Sequence, residues 1–263
     1  MQHSALLNVM IAAARKASRT LKRDFGEVEN LQVSLKGPGN FVTAADRKAE
    51  ETLKAELAKA RPGYSFLGEE SGSHAGTDTT HTWIVDPLDG TTNFLHGIPQ
   101  FAISIGLERS GTIVAGVIYN PITDELFVAE RGKGAFLNDK RLRVAARKRL
   151  ADSVIACGLP HLGRGDLGLG LRELSAIQDK VAGLRRFGAA ALDMAFVAAG
   201  RLDGYWERNI SPWDIAAGII ILREAGGFVT DIDGADAMFT KKHVVAGNET
   251  IQRELQRLLK AAG

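Results

Sequence analysis

Cysteine is nearly absent from this chain. Its single residue, Cys157, rules out an internal disulfide and fits a reducing compartment. Cys157 ends the apolar run Ser153 to Cys157, so packing is its expected role. No apolar stretch approaches the ~20 residues that a membrane-spanning helix needs. The N-terminus lacks the basic-then-apolar order of a secretory signal, which sets the expectation of a cytoplasmic protein. Charge of one sign is scarce as well: a formal net charge of +2 gives no reason to expect nucleic acid or a membrane surface as partner. The six histidines (His3, His74, His81, His96, His161 and His243) show no H-E-x-x-H or other paired spacing, which argues against a zinc hydrolase. Internal repeats and low-complexity tracts are also missing.

One motif match is a decoy. Gly163-Arg164-Gly165-Asp166-Leu167-Gly168 reads as G-x-G-x-x-G, but Gly158 to Leu162 separate it from the preceding strand, so the tight strand-to-helix turn is missing. The acid expected ~20 residues further on falls near Arg185-Arg186 instead.

What remains is an ordinary globular composition, 45% apolar and 24% charged over 263 residues, enough to bury a core as one large domain or two small ones. Residues 4 to 24 carry a helical apolar stripe including Leu7, Met10, Ala14 and Leu21. Leu31 to Leu35 and Phe41-Val42 flank the turn signal Lys36-Gly37-Pro38-Gly39-Asn40, a hairpin expected to have a mobile tip. Thr43 to Asp46 resembles a capping box for a helix that Pro62-Gly63 stops. Tyr64 to Leu67 reads as a strand and Gly72 to Thr80 as a surface loop. Strands at 101–108, 112–119, 125–130 and 135–138 predict an antiparallel meander. The second half alternates strands (153–157, 184–187, 203–207, 228–231, 244–246) with helices (169–179, 189–199, one from Ser211, and 251–259). Ser211-Pro212-Trp213-Asp214 predicts an N-cap, a proline at the first helical position and an acid at the third. A soft boundary near residue 145 divides the chain into 1–145, an α+β half, and 146–263, an α/β half.

The chemistry centres on Trp83-Ile84-Val85-Asp86-Pro87-Leu88-Asp89-Gly90-Thr91-Thr92-Asn93. An apolar run ends in Asp86, and Asp89 follows after a rigid Pro87. Gly90 permits a tight turn, and Thr91-Thr92 offers hydroxyls and N–H groups. Two acids this close repel one another unless a cation lies between them. Glu69 follows an earlier strand, and Asp214 sits in a helix's first turn. If these four acids converge and a phosphate dianion joins them, the total is about six negative charges, which about two to three Mg²⁺ ions would offset. Carboxylates with phosphate oxygens suit Mg²⁺ better than an imidazole-binding metal.

Gly68-Glu69-Glu70-Ser71, the Trp83 to Asn93 segment, and Trp213-Asp214-Ile215-Ala216-Ala217-Gly218 resemble, in order and spacing, the motifs of the inositol monophosphatase family. Asn40 to Asp46 is similar to its V-T-x-x-D element, and Glu224-Ala225-Gly226-Gly227 to its E-A-G-G close. The resemblance spans about residues 36 to 248. It implies an αβαβα layered sandwich, with an antiparallel N-terminal sheet carrying two helices and a mixed C-terminal sheet with flanking helices. It also implies that Glu69, Asp86 and the Leu88 carbonyl hold one Mg²⁺, and that Asp86, Asp89 and Asp214 hold a second. Thr91 paired with Asp46 would orient the attacking water, with Glu69 as part of the catalytic set. Gly90, Thr91 and Thr92 would bind phosphate. Glu207 with Gly188, Ala189 and Ala190 would face the sugar or cyclitol, Ala189 standing where the family commonly has a hydroxyl residue. Arg185 would lie beside that wall, and Lys36 on a loop over a third, weaker metal.

The function implied is Mg²⁺-dependent hydrolysis of inositol monophosphates and related sugar or polyol phosphates, lithium-sensitive, by a homodimer. Rivals on the same fold are a fructose-1,6-bisphosphatase, a histidinol-phosphate phosphatase or a 3′-phosphoadenosine 5′-phosphate phosphatase. A rival of another kind is a regulatory partner of RNA or the transcription machinery.

Overall fold

The computed structural model describes residues 3–25, 33–37, 40–161 and 165–263, with the 33–37 and 40–43 strands described as backbone only. In the N-terminal half the elements are α1 (Ala5–Phe25), β1 (Val33–Gly37), β2 (Asn40–Thr43), α2 (Ala44–Ala60), β3 (Tyr64–Gly68), β4 (Gly72–His74), β5 (Asp78–Asp89), α3 (Thr91–Leu95), β6 (Ala102–Arg109), β7 (Thr112–Asn120), β8 (Glu125–Glu130), β9 (Gly134–Leu137) and β10 (Lys140–Arg141). There follow β11 (Val154–Cys157), α4 (Leu167–Gln178), β12 (Gly183–Arg185), α5 (Ala190–Ala198), β13 (Gly204–Arg208), α6 (Pro212–Glu224), β14 (Phe228–Thr230), α7 (Met238–Lys241), β15 (His243–Gly247) and α8 (Glu249–Ala262).

Eight strands form one sheet in the order β10-β9-β8-β7-β6-β5-β3-β4, and five form another in the order β12-β11-β13-β15-β14. Alternation along the strands explains the layers, because successive side chains leave opposite faces of a sheet. On β5, Trp83 and Val85 join α1 and α2 in one core, whereas Ile84 points to the other face and joins α5 and α6. The five-stranded sheet divides likewise. Tyr205 and Val244 face α5 and α6, while Trp206 and Val245 pack with Leu255 and Leu259 of α8. Five layers result, α1/α2, sheet, α5/α6, sheet, α4/α8, the predicted sandwich. Apart from Asp193 on α5 and Asp214, Arg223 and Glu224 near the ends of α6, the central helices are apolar all round, as helices covered on both sides must be.

The structure corrects several local expectations. The strand ending at Asp86 runs on to Asp89, with an irregularity between those residues where Pro87 cannot donate to the ladder. Gly72 to Thr80 is not wholly loop, since β4 and the start of β5 occupy part of it. The meander is antiparallel, but β3 lies parallel to β5, so the larger sheet is not purely antiparallel. α3, α7 and β10 were not foreseen. Residues 38–39 of the hairpin tip, the Lys36 side chain and Gly163-Arg164 of the decoy motif lie outside the described residues.

Two glycines set the height of the middle layer. Gly106 on β6 and Gly116 on β7 are register partners. A Cβ on Gly106 would approach Ala216 Cβ to 2.7 Å, and one on Gly116 would approach the Ala217 carbonyl oxygen to 2.8 Å. Their bare backbones let α6 lie directly on the sheet, which brings its first turn to the ends of β5 and β3.

Candidate active site

At that junction lies a cavity of about 150 Å³ walled by Glu69, Asp86, Asp89, Asp193, Glu207 and Asp214, with Arg186 as the cation in its lining. The four acids singled out from sequence therefore meet in one place. Each is delivered by regular structure. Asp86 and Asp89 come from the end of β5, Glu69 from the turn after β3, and Asp214 from the first turn of α6.

Three of the four are pinned in the same way. Leu88 N–H donates to Asp86 Oδ1 at 2.9 Å, Ala191 N–H to Asp89 Oδ2 at 2.7 Å, and Ser211 N–H to Asp214 Oδ2 at 2.8 Å. The Ser211 contact is the predicted helix cap, here attached to a functional acid. The turn bearing Glu69 is held from α2: the buried Glu50 carboxylate accepts the Glu70 and Ser71 N–H groups at 2.8 and 2.7 Å. Glu50 escaped the sequence reading, although its signal is legible: it is an acid beside Ala49 on the face that also buries Leu53 and Leu57.

Burial first and mutual repulsion second hold the Asp86 and Asp89 carboxyls well above their ordinary range. For Asp86 the repelling neighbours are Glu69, Asp89 and Asp214, and for Asp89 the first is Asp214. Asp214 is pushed up to about 7 by burial and then by Glu69. So much unbalanced acidity fits a site that takes hard cations. Among the described residues no three His, Cys, Asp or Glu side chains are grouped closely enough to hold a metal ion by themselves. Such a site leaves coordination positions to carbonyls, water and substrate oxygen, as Mg²⁺ sites commonly do.

Gly90 opens α3 in the left-handed region (φ 94°), and a Cβ there would come within 2.9 Å of the Gln100 carbonyl oxygen. Gly90, Thr91 and Thr92 line the cavity floor. Thr91 Oγ1 lies 3.0 Å from Asp46 Oδ1 and 3.1 Å from the Leu88 carbonyl oxygen, so the predicted Thr91–Asp46 pair exists. Asn93 Nδ2 donates to the Gln100 and Phe187 carbonyls at 2.7 and 2.8 Å, tying this floor to the opposite wall.

That wall differs in detail from expectation. Gly188, Ala190 and Glu207 line the cavity, whereas Ala189 is buried beneath the surface. Arg186 lines it in place of Arg185. Arg185 is the last residue of β12, is exposed, and turns its guanidinium back on the Leu184 carbonyl at 2.8 Å. Glu207 accepts a short hydrogen bond from Tyr205 Oη and lies over Gly158, where a Cβ would meet the Glu207 Cδ at 1.9 Å. His161 is exposed at the rim. Asp193 was missed, yet it is the one acid in the otherwise apolar helix Ala190–Ala198.

Five layers with an acid-walled cavity at their centre define a class, the layered αβαβα phosphatases. Within it, the chain belongs to the inositol monophosphatase family, whose pattern matches residues 2–262. Members of this family are generally metal-dependent. An inositol-1-monophosphatase of Mesorhizobium japonicum is 65% identical over 99% of this chain and 98% of that one. The crystal structure of extragenic suppressor protein suhB from Bartonella henselae superposes with a TM-score of 0.95 at 62% identity, covering 98% of this chain and 99% of that one. A protein of Pseudomonas aeruginosa named Nus factor SuhB is 42% identical over 92% of this chain and 91% of its own length. No helix among the described residues is long and apolar enough to cross a membrane.

Proposed function

We propose that this protein is a Mg²⁺-dependent phosphomonoesterase acting on inositol monophosphates and related sugar or polyol phosphates. The observation that carries the reading is the set of three carboxylates, Asp86, Asp89 and Asp214, each fixed by one backbone N–H around a cavity floored by Gly90 to Thr92. Glu69, Asp86, Asp89, Asp214 and the Leu88 carbonyl would hold about two to three Mg²⁺, which when bound neutralise phosphoryl charge and activate water.

The chain's own residues do the rest. Thr91 gives its hydroxyl proton to Asp46, which leaves the Oγ1 lone pairs to accept an O–H of the attacking water and aim it at phosphorus. Asp46 can take up the proton that Thr91 relays. First-turn N–H groups of α3 orient the phosphate oxygens, and fixed donors of this kind need no rearrangement as charge develops. Glu207, held by Tyr205, accepts hydroxyls of the leaving alcohol.

Asp89→Asn tests the assignment. Phosphate release under saturating Mg²⁺ should fall at least about a hundredfold, and turnover near wild type overturns the reading. A panel including fructose 1,6-bisphosphate, histidinol phosphate and 3′-phosphoadenosine 5′-phosphate separates the rivals that share this fold. The resemblance to the Nus factor supports a second role in transcription. In a pull-down with RNA polymerase, binding that survives Asp89→Asn supports that role, and no capture by either form removes it. A homodimeric, cytoplasmic protein follows from the same family reading, and light scattering on the purified chain tests the dimer.

A further inference from the structure

Asp193 has no assignment in the catalytic scheme above, and its surroundings are unusual. It stands in the first turn of α5, two residues beyond the Ala191 N–H that fixes Asp89. The residue is only 2% exposed, yet it lines the cavity, and its Oδ1 is buried with no hydrogen-bond partner among the described residues. Leaving a buried acceptor unmatched is costly, and a helix meant only to pack would carry an apolar residue here, as its other eight positions do. Glu207 reaches the same space from β13, already holding one donor from Tyr205. Burial and the Glu207 charge both hold Asp193 above the ordinary carboxyl range, with Arg186 opposing them, so the three groups share one neighbourhood.

We propose that Asp193 is a specificity-determining residue. Together with Glu207 it receives two neighbouring hydroxyls of the leaving alcohol, so that the enzyme favours phosphate esters of vicinal polyols over esters of simple alcohols. This rests on the phosphomonoesterase reading. Two adjacent O–H donors suit the pair because Asp193 Oδ1 has no donor among the described residues and Glu207 lines the same cavity beside it. An apolar or aromatic alcohol supplies no donor and leaves the buried Oδ1 unmatched.

The test compares kcat/KM for inositol 1-phosphate with that for phenyl phosphate, in wild type, Asp193→Ala and Asp193→Asn. Asp193→Ala should lower the polyol-to-phenyl ratio by about tenfold to a hundredfold, chiefly through KM, as expected for losing a hydrogen bond to a charged group. Asp193→Asn keeps one acceptor and should fall between. Melting of the metal-free, ligand-free variants should be no lower than wild type, because the substitution removes an unmatched buried acceptor. An unchanged ratio overturns the inference, as does a lowered melting temperature with equal losses on both esters, which would mark Asp193 as structural. A larger dependence for phosphoethanolamine would assign the pair to an ammonium and overturn the hydroxyl assignment. A wild type inert towards every ester fails the phosphatase reading itself, a result distinct from an active enzyme without polyol preference.

Discussion

Gly106 and Gly116 face each other across β6 and β7, and the notch they leave is filled by Ala216, Ala217 and Ile220 of α6. Because α6 carries Asp214 in its first turn, the depth of that notch sets where the acid stands. Gly116→Ala should therefore cost about 1–3 kcal/mol of stability through overpacking. It should also raise the Mg²⁺ concentration needed for half-maximal phosphate release. Thermal melting and a Mg²⁺ titration of the same variant check both effects.

Glu50 acts through the turn that carries Glu69. Glu50→Ala would strand the Glu70 and Ser71 N–H groups, at about 1–3 kcal/mol, and weaken the apparent Mg²⁺ affinity by about tenfold. Glu50→Gln keeps one acceptor oxygen and should recover part of the loss. Equal Mg²⁺ titration curves for wild type and Glu50→Ala would refute the proposed support.

Thr91 offers a clean pair of substitutions. Thr91→Ser preserves the hydroxyl that meets Asp46 and should retain most activity. Thr91→Val preserves shape without the hydroxyl and should lose about a hundredfold in kcat. Similar rates for the two would remove Thr91 from the water-orienting role.

Stability should depend on pH in a direction opposite to that of a salt-bridged acid. Folded Asp214 keeps its proton up to about pH 7, whereas the ordinary value is 3.8. Between those values the folded chain binds more protons than the unfolded one, so stability falls as pH rises through the window. Metal-free protein should melt higher at pH 5 than at pH 8. Added Mg²⁺ should raise the melting temperature more at pH 8, where the acids are ionised.

Cys157 illustrates how position fixes reactivity. Burial, then the charges of Asp193 and Glu207, push its thiol up to about 12. In native protein at pH 8 it should resist thiol reagents, and denaturation should expose it fully.

Much of this was legible in the chain. The motif acids, the Ser211 cap and the alternating second half sit where their local patterns put them, because each pattern is a short-range fact about backbone geometry. Other features depended on contacts distant in sequence. Asp89 meets Ala191 across 102 positions, and no local signal announces that partner. Arg186 rather than Arg185 lines the cavity, and β12 ends two residues earlier than the strand expected over 184–187. Asp193 and Glu50 each stand out as an acid on an apolar helix face, but what each one meets is set by tertiary packing.

The Ala191 N–H that steadies Asp89 belongs to a segment synthesised long after it. A nascent chain that has passed Thr92 already holds Glu69, Asp86 and Asp89, but none of the clamps contributed by α5 and α6. In a chain made from its N-terminus, the site proposed here is therefore complete only once Asp214 has been added.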